Sequence, residues 1–376
     1  MRKRLLFVVN HAGFFVSHRL PIAVAAIGAG FEVHVASAAG AAVAVMQARG
    51  ITHHELNLSR NGINPLHELL AFLEIRRLMR RLRPDIVHLV TSKPVLYGGI
   101  AARLIGVPAV VAAISGLGHV FTANDLPTRL VRLLVSAGYR IALKQANLKV
   151  IFQNPSDRDL LVRSGAVAPA SAVLIKGSGV DLQEYRATPE PQEPLVVTYA
   201  ARLLKTKGVC EFVEAAKQLR LRQVRARFLL VGDVDPDNSA SVTCGDIERW
   251  KADGWVEVLG LRREIAAIFA ASHLVVFPSY YGEGLPKVLV EAAACGRAVI
   301  TTDIPGCRDA MVQEETGLLV PAHDVAALAR AIEALLSDRG RRQRMGAAGR
   351  ALAEREYAIE RIVGRHLQIY RSLLSA

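Results

Sequence analysis

Residues 274–296 read Leu-Val-Val-Phe-Pro-Ser-Tyr-Tyr-Gly-Glu-Gly-Leu-Pro-Lys-Val-Leu-Val-Glu-Ala-Ala-Ala-Cys-Gly. A continuous apolar run, Leu274 to Pro278, passes through a glycine-bearing turn into a helical pattern, Lys287 to Cys295, that Gly296 ends. An apolar run without alternation suits a strand buried on both faces, and a glycine just past the last periodic residue stops a helix. Pro286 suits the first helical turn. Gly284 lacks a β-carbon and lets a ligand approach the backbone, while the helix start behind it offers unpaired N–H groups to a phosphate. The stretch predicts a strand–turn–helix unit of a parallel sheet with an anion seat at its turn.

The same alternation extends to both sides. Leu195–Ala200, Arg227–Val231, Trp255–Leu259 and Ala298–Thr301 are further β-rich runs in the second half. Leu5–Val9, Phe31–Ser37, Asp85–Thr91, Ala109–Ser115 and Leu148–Asn154 repeat the pattern in the first. Helical segments lie between them, which implies parallel sheets covered on both faces. The segment 184–194 carries Pro189, Pro191 and Pro194, cannot continue a helix or a central strand, and reads as a linker. The expectation is two doubly wound α/β domains, 1–183 and 195–356, facing a cleft. A terminal helix begins near Tyr357, and 357–376 is expected to pack back on the first domain. Ligands of such sheets bind outside the carboxyl ends of the strands.

At 376 residues, 51% hydrophobic and 22% charged, the chain is long enough for two cores and leaves no large disordered region. Its net charge of +13 is unevenly placed: residues 1–182 hold 21 Lys+Arg against 9 Asp+Glu, and residues 183–376 hold 26 against 25. An acidic partner is therefore expected for the first half. Cys210, Cys244, Cys295 and Cys307 form no metal or redox spacing, so no metal and no cofactor is expected, and a reducing compartment fits. Met1-Arg-Lys-Arg before Leu5–Val9 reads as a first strand rather than a leader, because the apolar run meets Asn10-His11 at once. The best candidate for a membrane span, Leu104–Gly118, is broken by Pro108 and three glycines.

Glu291 sits among Val288, Leu289, Val290 and Ala292–Ala294, so the carboxylate needs a partner. Ribose hydroxyls would donate to it; an internal arginine or a capped loop are the alternatives. Arg202 and Lys207 lie in the loop after Leu195–Ala200, where a forked guanidinium and an ammonium suit a diphosphate. Solvated surface cations are the plainer reading of that loop alone.

Arg202-x4-Lys207-Gly208, Gly284-Leu285-Pro286 and the seven-residue gap between Glu283 and Glu291 together resemble glycosyltransferase family 4 over the whole chain. That resemblance implies the GT-B fold of two Rossmann-like domains and metal-independent transfer with retention of configuration from a nucleotide-sugar, with uracil the expected base. It implies Arg202 and Lys207 on the diphosphate, Glu291 on the ribose, and Glu283 on a donor-sugar hydroxyl. Gly284, Leu285 and Pro286 would line the donor, and Gly232 with the Gly260-Leu261 turn would flank its base. Asn10-His-Ala-Gly-Phe-Phe-Val-Ser-His-Arg-Leu-Pro21, Ser92-Lys-Pro94, Ser115-Gly-Leu-Gly-His-Val-Phe121 and Lys176-Gly-Ser-Gly-Val-Asp181 are similar to bacterial transferases that extend undecaprenyl-diphosphate-linked saccharides. Gly13 would then approach donor phosphate or acceptor, although this chain has Ala12-Gly13 where many members carry two glycines. Lys93 and His119 are acceptor candidates. His11, His18, His53 and His54 read as structural.

Between Pro65 and Arg83, leucines 66, 69, 70, 73, 78 and 82 are interspersed with Arg76, Arg77, Arg80, Arg81 and Arg83. Arg129–Lys144 has a similar mixture. Both read as helices that rest on an anionic bilayer, at the cytoplasmic face of the membrane, and present a lipid-linked acceptor; packing helices with solvated arginines are the plainer reading of either stretch alone. The rival readings are a nucleotide-sugar epimerase of the same fold and a non-catalytic basic protein that binds membrane or nucleic acid. No nucleic-acid motif accompanies the charge, so nucleic acid is not the expected partner.

Overall fold

The computed structural model describes residues 2–58, 64–117 and 135–375. Contacts divide the chain into two compact units, Met1–Ser178 together with Ile359–Ala376, and Gly179–Ala358. Each is built on one parallel sheet covered by helices.

In the first unit, β1 (Arg4–His11), β2 (Glu32–Ala38), β3 (Thr52–Glu55), β4 (Ile86–Val90), β5 (Ala109–Ile114), β6 (Leu148–Phe152) and β7 (Ala172–Leu174) lie in the order β3-β2-β1-β4-β5-β6-β7. Successive residues point to opposite faces of a strand. Leu6, Val8, Val87 and Leu89 accordingly enter one core, and Leu5, Phe7, Val9, Ile86 and Val90 the other. The terminal helix Ile359–Leu374 closes the second of these faces with Ile362, Ile369, Tyr370 and Leu373. Tyr370 and His88 Nδ1 share a buried hydrogen bond of 2.6 Å, and Asn147 Nδ2 donates to Leu373 O at 2.7 Å.

The helix Pro65–Leu82 packs on the other face through Ala71, Ile75, Leu78 and Met79. It starts where the sequence supplies a capping asparagine followed by proline: Asn64 accepts from Leu66 N at 3.0 Å. Of the second basic stretch, residues 135–142 are helical, and its earlier part lies outside the described residues. Among the described residues no helix is long and apolar enough to cross a membrane.

In the second unit, β8 (Leu195–Ala200), β9 (Ala226–Val231), β10 (Glu257–Gly260), β11 (Leu274–Phe277), β12 (Ala298–Thr302) and β13 (Gly317–Val320) lie in the order β10-β9-β8-β11-β12-β13. Chain order reverses beside β8, which pairs with β9 on one side and β11 on the other. That reversal is the topological switch point of a doubly wound sheet.

Residues 184–194, expected as a linker, lie within the second unit. Two buried arginines hold them there. Arg297 donates to Thr188 O at 2.9 Å and to Thr188 Oγ1 at 2.8 Å, and Arg342 grips both carboxylate oxygens of Glu190 at 3.1 Å. His273 Nε2 meets Pro191 O at 3.1 Å. The prolines bar regular structure from the segment, and the arginines supply the partners its carbonyl groups then lack.

Candidate functional site

The loops after β8 and β11 leave the sheet side by side at the switch point. Lys207 ends a short 3-10 turn in the first, and Glu283 lies in the second. Lys207 Nζ donates to Glu283 Oε1 at 2.8 Å, both side chains are mostly buried, and the ammonium lies 5.3 Å from the Phe277 ring centroid. Ser279 Oγ lies 3.2 Å from both Glu283 Oε1 and Thr206 O, and Tyr280 N donates to Thr206 O at 3.1 Å. The two loops are thus joined by side chain and backbone.

Two glycines make this closeness possible. Gly208 has φ +75°, and a β-carbon there would stand 2.1 Å from Pro278 O. Gly306 has φ +83°, and its β-carbon would stand 2.3 Å from Glu283 O and 2.7 Å from Gly284 O. Neither position admits a side chain without moving backbone. Beside Gly306, burial and then the nearby Glu283 push the Cys307 thiol up to about 12, so it is inert.

Arg202 Nη1 donates to Asp235 Oδ2 at 2.6 Å, with the guanidinium about half exposed. Gly232, which follows β9, donates to Gly260 O at 2.9 Å and so lies beside the turn that exposes Leu261. Gly284, Leu285 and Pro286 are buried. Pro286 is the residue before the helix Lys287–Ala294 rather than part of its first turn: its ψ of 120° is extended, and its carbonyl accepts from Leu289 N at 3.2 Å.

Glu291 projects from that helix and is 7% exposed. Its internal partners are Tyr185, whose hydroxyl donates to Oε1 at 2.8 Å, and Lys287 Nζ at 3.0 Å from the same oxygen. Neither is the internal arginine considered from the sequence. Burial, and then the Glu291 carboxylate, raise the Tyr185 phenol above its ordinary value, so it stays a hydrogen-bond donor.

Arg202, Lys207, Gly232, Leu261, Glu283, Gly284, Leu285, Pro286 and Glu291 all belong to the second unit, where Lys207 and Glu283 are in direct contact. Gly13 and Lys93 belong to the first unit. Gly13 lies inside the helix Ala12–His18 rather than in a loop, its N–H donating to His11 Nδ1 at 3.0 Å. Lys93 Nζ is bound to Glu68 Oε1 at 2.6 Å, and the Tyr97 hydroxyl donates to the other oxygen of Glu68 at 2.7 Å. His119 lies outside the described residues. The supporting residues Asp235, Tyr185, Lys287 and Gly306 were not anticipated. Lys287 alone had a local signal, four residues before Glu291 on one helix face.

Two doubly wound sheets define a two-domain α/β protein, and the paired cation and carboxylate at the switch point of the second lie where such sheets bind ligands. The chain belongs to the glycosyltransferases: residues 182–352 match the family described as glycosyl transferases group 1, and residues 4–154 the family described as glycosyl transferase 4-like. It is 28% identical over 376 residues, 96% of this chain and 97% of the other, to the N,N'-diacetylbacillosaminyl-diphospho-undecaprenol alpha-1,3-N-acetylgalactosaminyltransferase of Campylobacter jejuni. It is 26% identical to the UDP-Gal:alpha-D-GlcNAc-diphosphoundecaprenol alpha-1,3-galactosyltransferase of Escherichia coli, over 75% of this chain and 74% of the other. The crystal structure of a glycosyltransferase from Rickettsia africae shares the fold, with a TM-score of 0.78 over 99% of each chain at 20% identity.

Proposed function

We propose that this glycosyltransferase moves a hexose or N-acetylhexosamine from a UDP-sugar onto an undecaprenyl-diphosphate-linked saccharide, without a metal ion and with retention at the anomeric carbon. The observation that carries the reading is the Lys207–Glu283 pair, 2.8 Å apart at the switch point with Arg202 in the same loop as Lys207. Each cation is held by a carboxylate, Glu283 or Asp235, that an incoming diphosphate would replace. Released from Lys207, Glu283 can accept from a hydroxyl of the donor sugar. Among the described residues both contacts of Glu291 fall on Oε1, which leaves Oε2 for ribose hydroxyls. Gly232 and Leu261 would flank the base, and Gly284, Leu285 and Pro286 the sugar phosphate.

In the proposed reaction the bond from the anomeric carbon to the diphosphate oxygen breaks, and the acceptor oxygen bonds to that carbon on the same face. The acceptor's proton passes to the departing phosphate oxygen, so no protein base is required. Arg202, Lys207 and the N–H groups at the start of Lys287–Ala294 would stabilise the charge that grows on the leaving diphosphate. The first unit would receive the acceptor through Gly13 and Lys93, with His119 a further candidate. Its basic helices would hold the protein to an anionic membrane surface at the cytoplasmic face. The Campylobacter and Escherichia relatives are named for transfer to undecaprenol-linked saccharides, which supports the lipid-linked acceptor.

The test is incubation with a panel of radiolabelled nucleotide-sugars and a bacterial lipid extract, with and without chelator. Label is expected in the organic phase from one UDP-sugar, undiminished by chelator and with the donor's anomeric configuration. Water-soluble epimer formed without acceptor would instead support the epimerase, and no label from any donor would sink the transferase reading.

A further inference from the structure

The first unit carries a cavity of about 360 Å³ whose one wall is His53, His54, Glu55 and Leu56, from β3 and the residue after it. The other wall is Glu74, Arg77, Leu78 and Arg81 of the helix Pro65–Leu82. Arg77, Arg81 and Glu55 are exposed and form no ion pair among the described residues. Glu74 is engaged by Asn57, whose backbone N and Nδ2 donate to its two oxygens at 2.9 and 2.8 Å. Burial lowers the His53 and His54 imidazoles below their ordinary value, reinforced for His54 by His34 and Arg81. Near neutral pH they are hydrogen-bonding groups rather than cations. Two arginines and two carboxylates therefore line the cavity, with Glu55 alone on the wall opposite the arginines, and it carries no excess charge of either sign.

The same helix turns four leucines outward. Leu66, Leu69, Leu70 and Leu73 are 70%, 53%, 55% and 40% exposed. Their spacing of three, one and three residues puts them on one stripe, which Arg77, Arg80 and Arg81 continue along the helix. One face thus passes from apolar at its first half to cationic at its second. Such a helix suits a bilayer when its leucine end enters the acyl region and its arginines stay among the headgroups. Arg77 and Arg81 belong to both the stripe and the cavity, so a headgroup beside the inserted leucines would meet the cavity mouth.

We propose that this cavity binds a phospholipid headgroup in which a phosphodiester is linked to a primary ammonium, the phosphate on Arg77 and Arg81 and the ammonium on Glu55. The inference rests on the membrane attachment proposed above. The balanced charge of the cavity favours a zwitterionic headgroup over a purely anionic one. A primary ammonium is preferred to a quaternary one because only the former can donate hydrogen bonds to a carboxylate.

The experiment compares vesicle flotation of the full chain with phosphatidylglycerol mixed at constant fraction with either phosphatidylethanolamine or phosphatidylcholine. Wild type is expected to bind the ethanolamine vesicles at least threefold more tightly. Glu55→Gln should erase that preference and keep binding to both, which separates headgroup recognition from any effect of bilayer packing. Arg77→Gln with Arg81→Gln should weaken binding to both. Equal binding by wild type, or an undiminished preference in Glu55→Gln, overturns the proposal. Transfer to a detergent-solubilised acceptor is measured in parallel. If it persists while the lipid preference is absent, only this inference fails. If wild type transfers no sugar at all, the functional reading fails instead.

Discussion

The cations of the two units are managed in opposite ways. At the switch point of the six-stranded sheet Arg202 and Lys207 each hold a carboxylate, at 2.6 and 2.8 Å. On the helix Pro65–Leu82, Arg77, Arg80 and Arg81 hold none among the described residues. A paired, mostly buried ammonium is fixed in place before its ligand arrives and is poorly screened by salt. Unpaired arginines on an exposed face keep their rotamer freedom, act as a sum of weak attractions and lose strength as salt rises. The contrast separates a cation fixed before its anion arrives from cations left free to settle on headgroups.

The largest effect is expected at Lys207. If the fixed ammonium stabilises the departing diphosphate, Lys207→Ala should lower kcat by about 10³-fold, of order 4 kcal/mol, with little change in vesicle binding. An activity within threefold of wild type, measured as transfer to the lipid fraction, would remove Lys207 from the site.

The next effect concerns acid and separates the units through their cores. Burial, and then Arg19, lower His366 to about 3, while burial with His366 and Arg19 lowers His88 well below its ordinary value. A histidine with a depressed folded pKa refuses a proton that the unfolded chain accepts. The stability tied to it is present above pH 6.5 and is lost as pH falls toward 3. His366 alone should cost the first unit about 3 kcal/mol between pH 6.5 and 4. Hydrogen exchange at pH 4 should show the strands around His88 opening before β8 and β11. Simultaneous opening of the two sheets would contradict this.

A smaller effect is expected at Gly306. Gly306→Ala should destabilise the second unit by about 2 kcal/mol through its positive φ and the displaced Glu283–Gly284 backbone. It should also raise KM for the donor. A thermal melt unchanged to within a degree, with donor KM intact, would show that the loop tolerates the β-carbon.

The smallest effect is expected on the exposed face of the helix Pro65–Leu82. Arg80→Gln should weaken binding to phosphatidylglycerol vesicles by about fivefold at low salt, near 1 kcal/mol, and by less as salt rises. Donor affinity should not change. An Arg80→Gln effect that is independent of salt would mean that the arginine makes a specific contact rather than contributing to a field.

Much of the fold was legible because its central strands are unbroken apolar runs. All ten runs read from the sequence are strands, and the three that escaped, Thr52–Glu55, Ala172–Leu174 and Gly317–Val320, are outer strands of three or four residues. Thr-His-His-Glu carries no apolar residue, because an edge strand needs only backbone partners on one side. At the candidate site, residues at strand ends were legible, since position in the alternation already places them at a switch point. Their supports were not. Asp235 lies 33 residues from Arg202, Tyr185 lies 106 from Glu291, and Gly306 meets Glu283 only after another strand has intervened. Such contacts depend on tertiary closeness that no local period records.

The terminal helix Ile359–Leu374 has a consequence for biosynthesis. Tyr370 and Leu373 seal the sheet face that Phe7 opens, yet they leave the ribosome after every residue of the second unit. Folding from the first residue onward would cover that face with Phe15, Ile22 and Ala26 but leave the strip under the last helix open during the translation of some 180 intervening residues, Gly179–Ala358. The nascent first unit is therefore expected to keep an apolar strip exposed until its own last helix arrives.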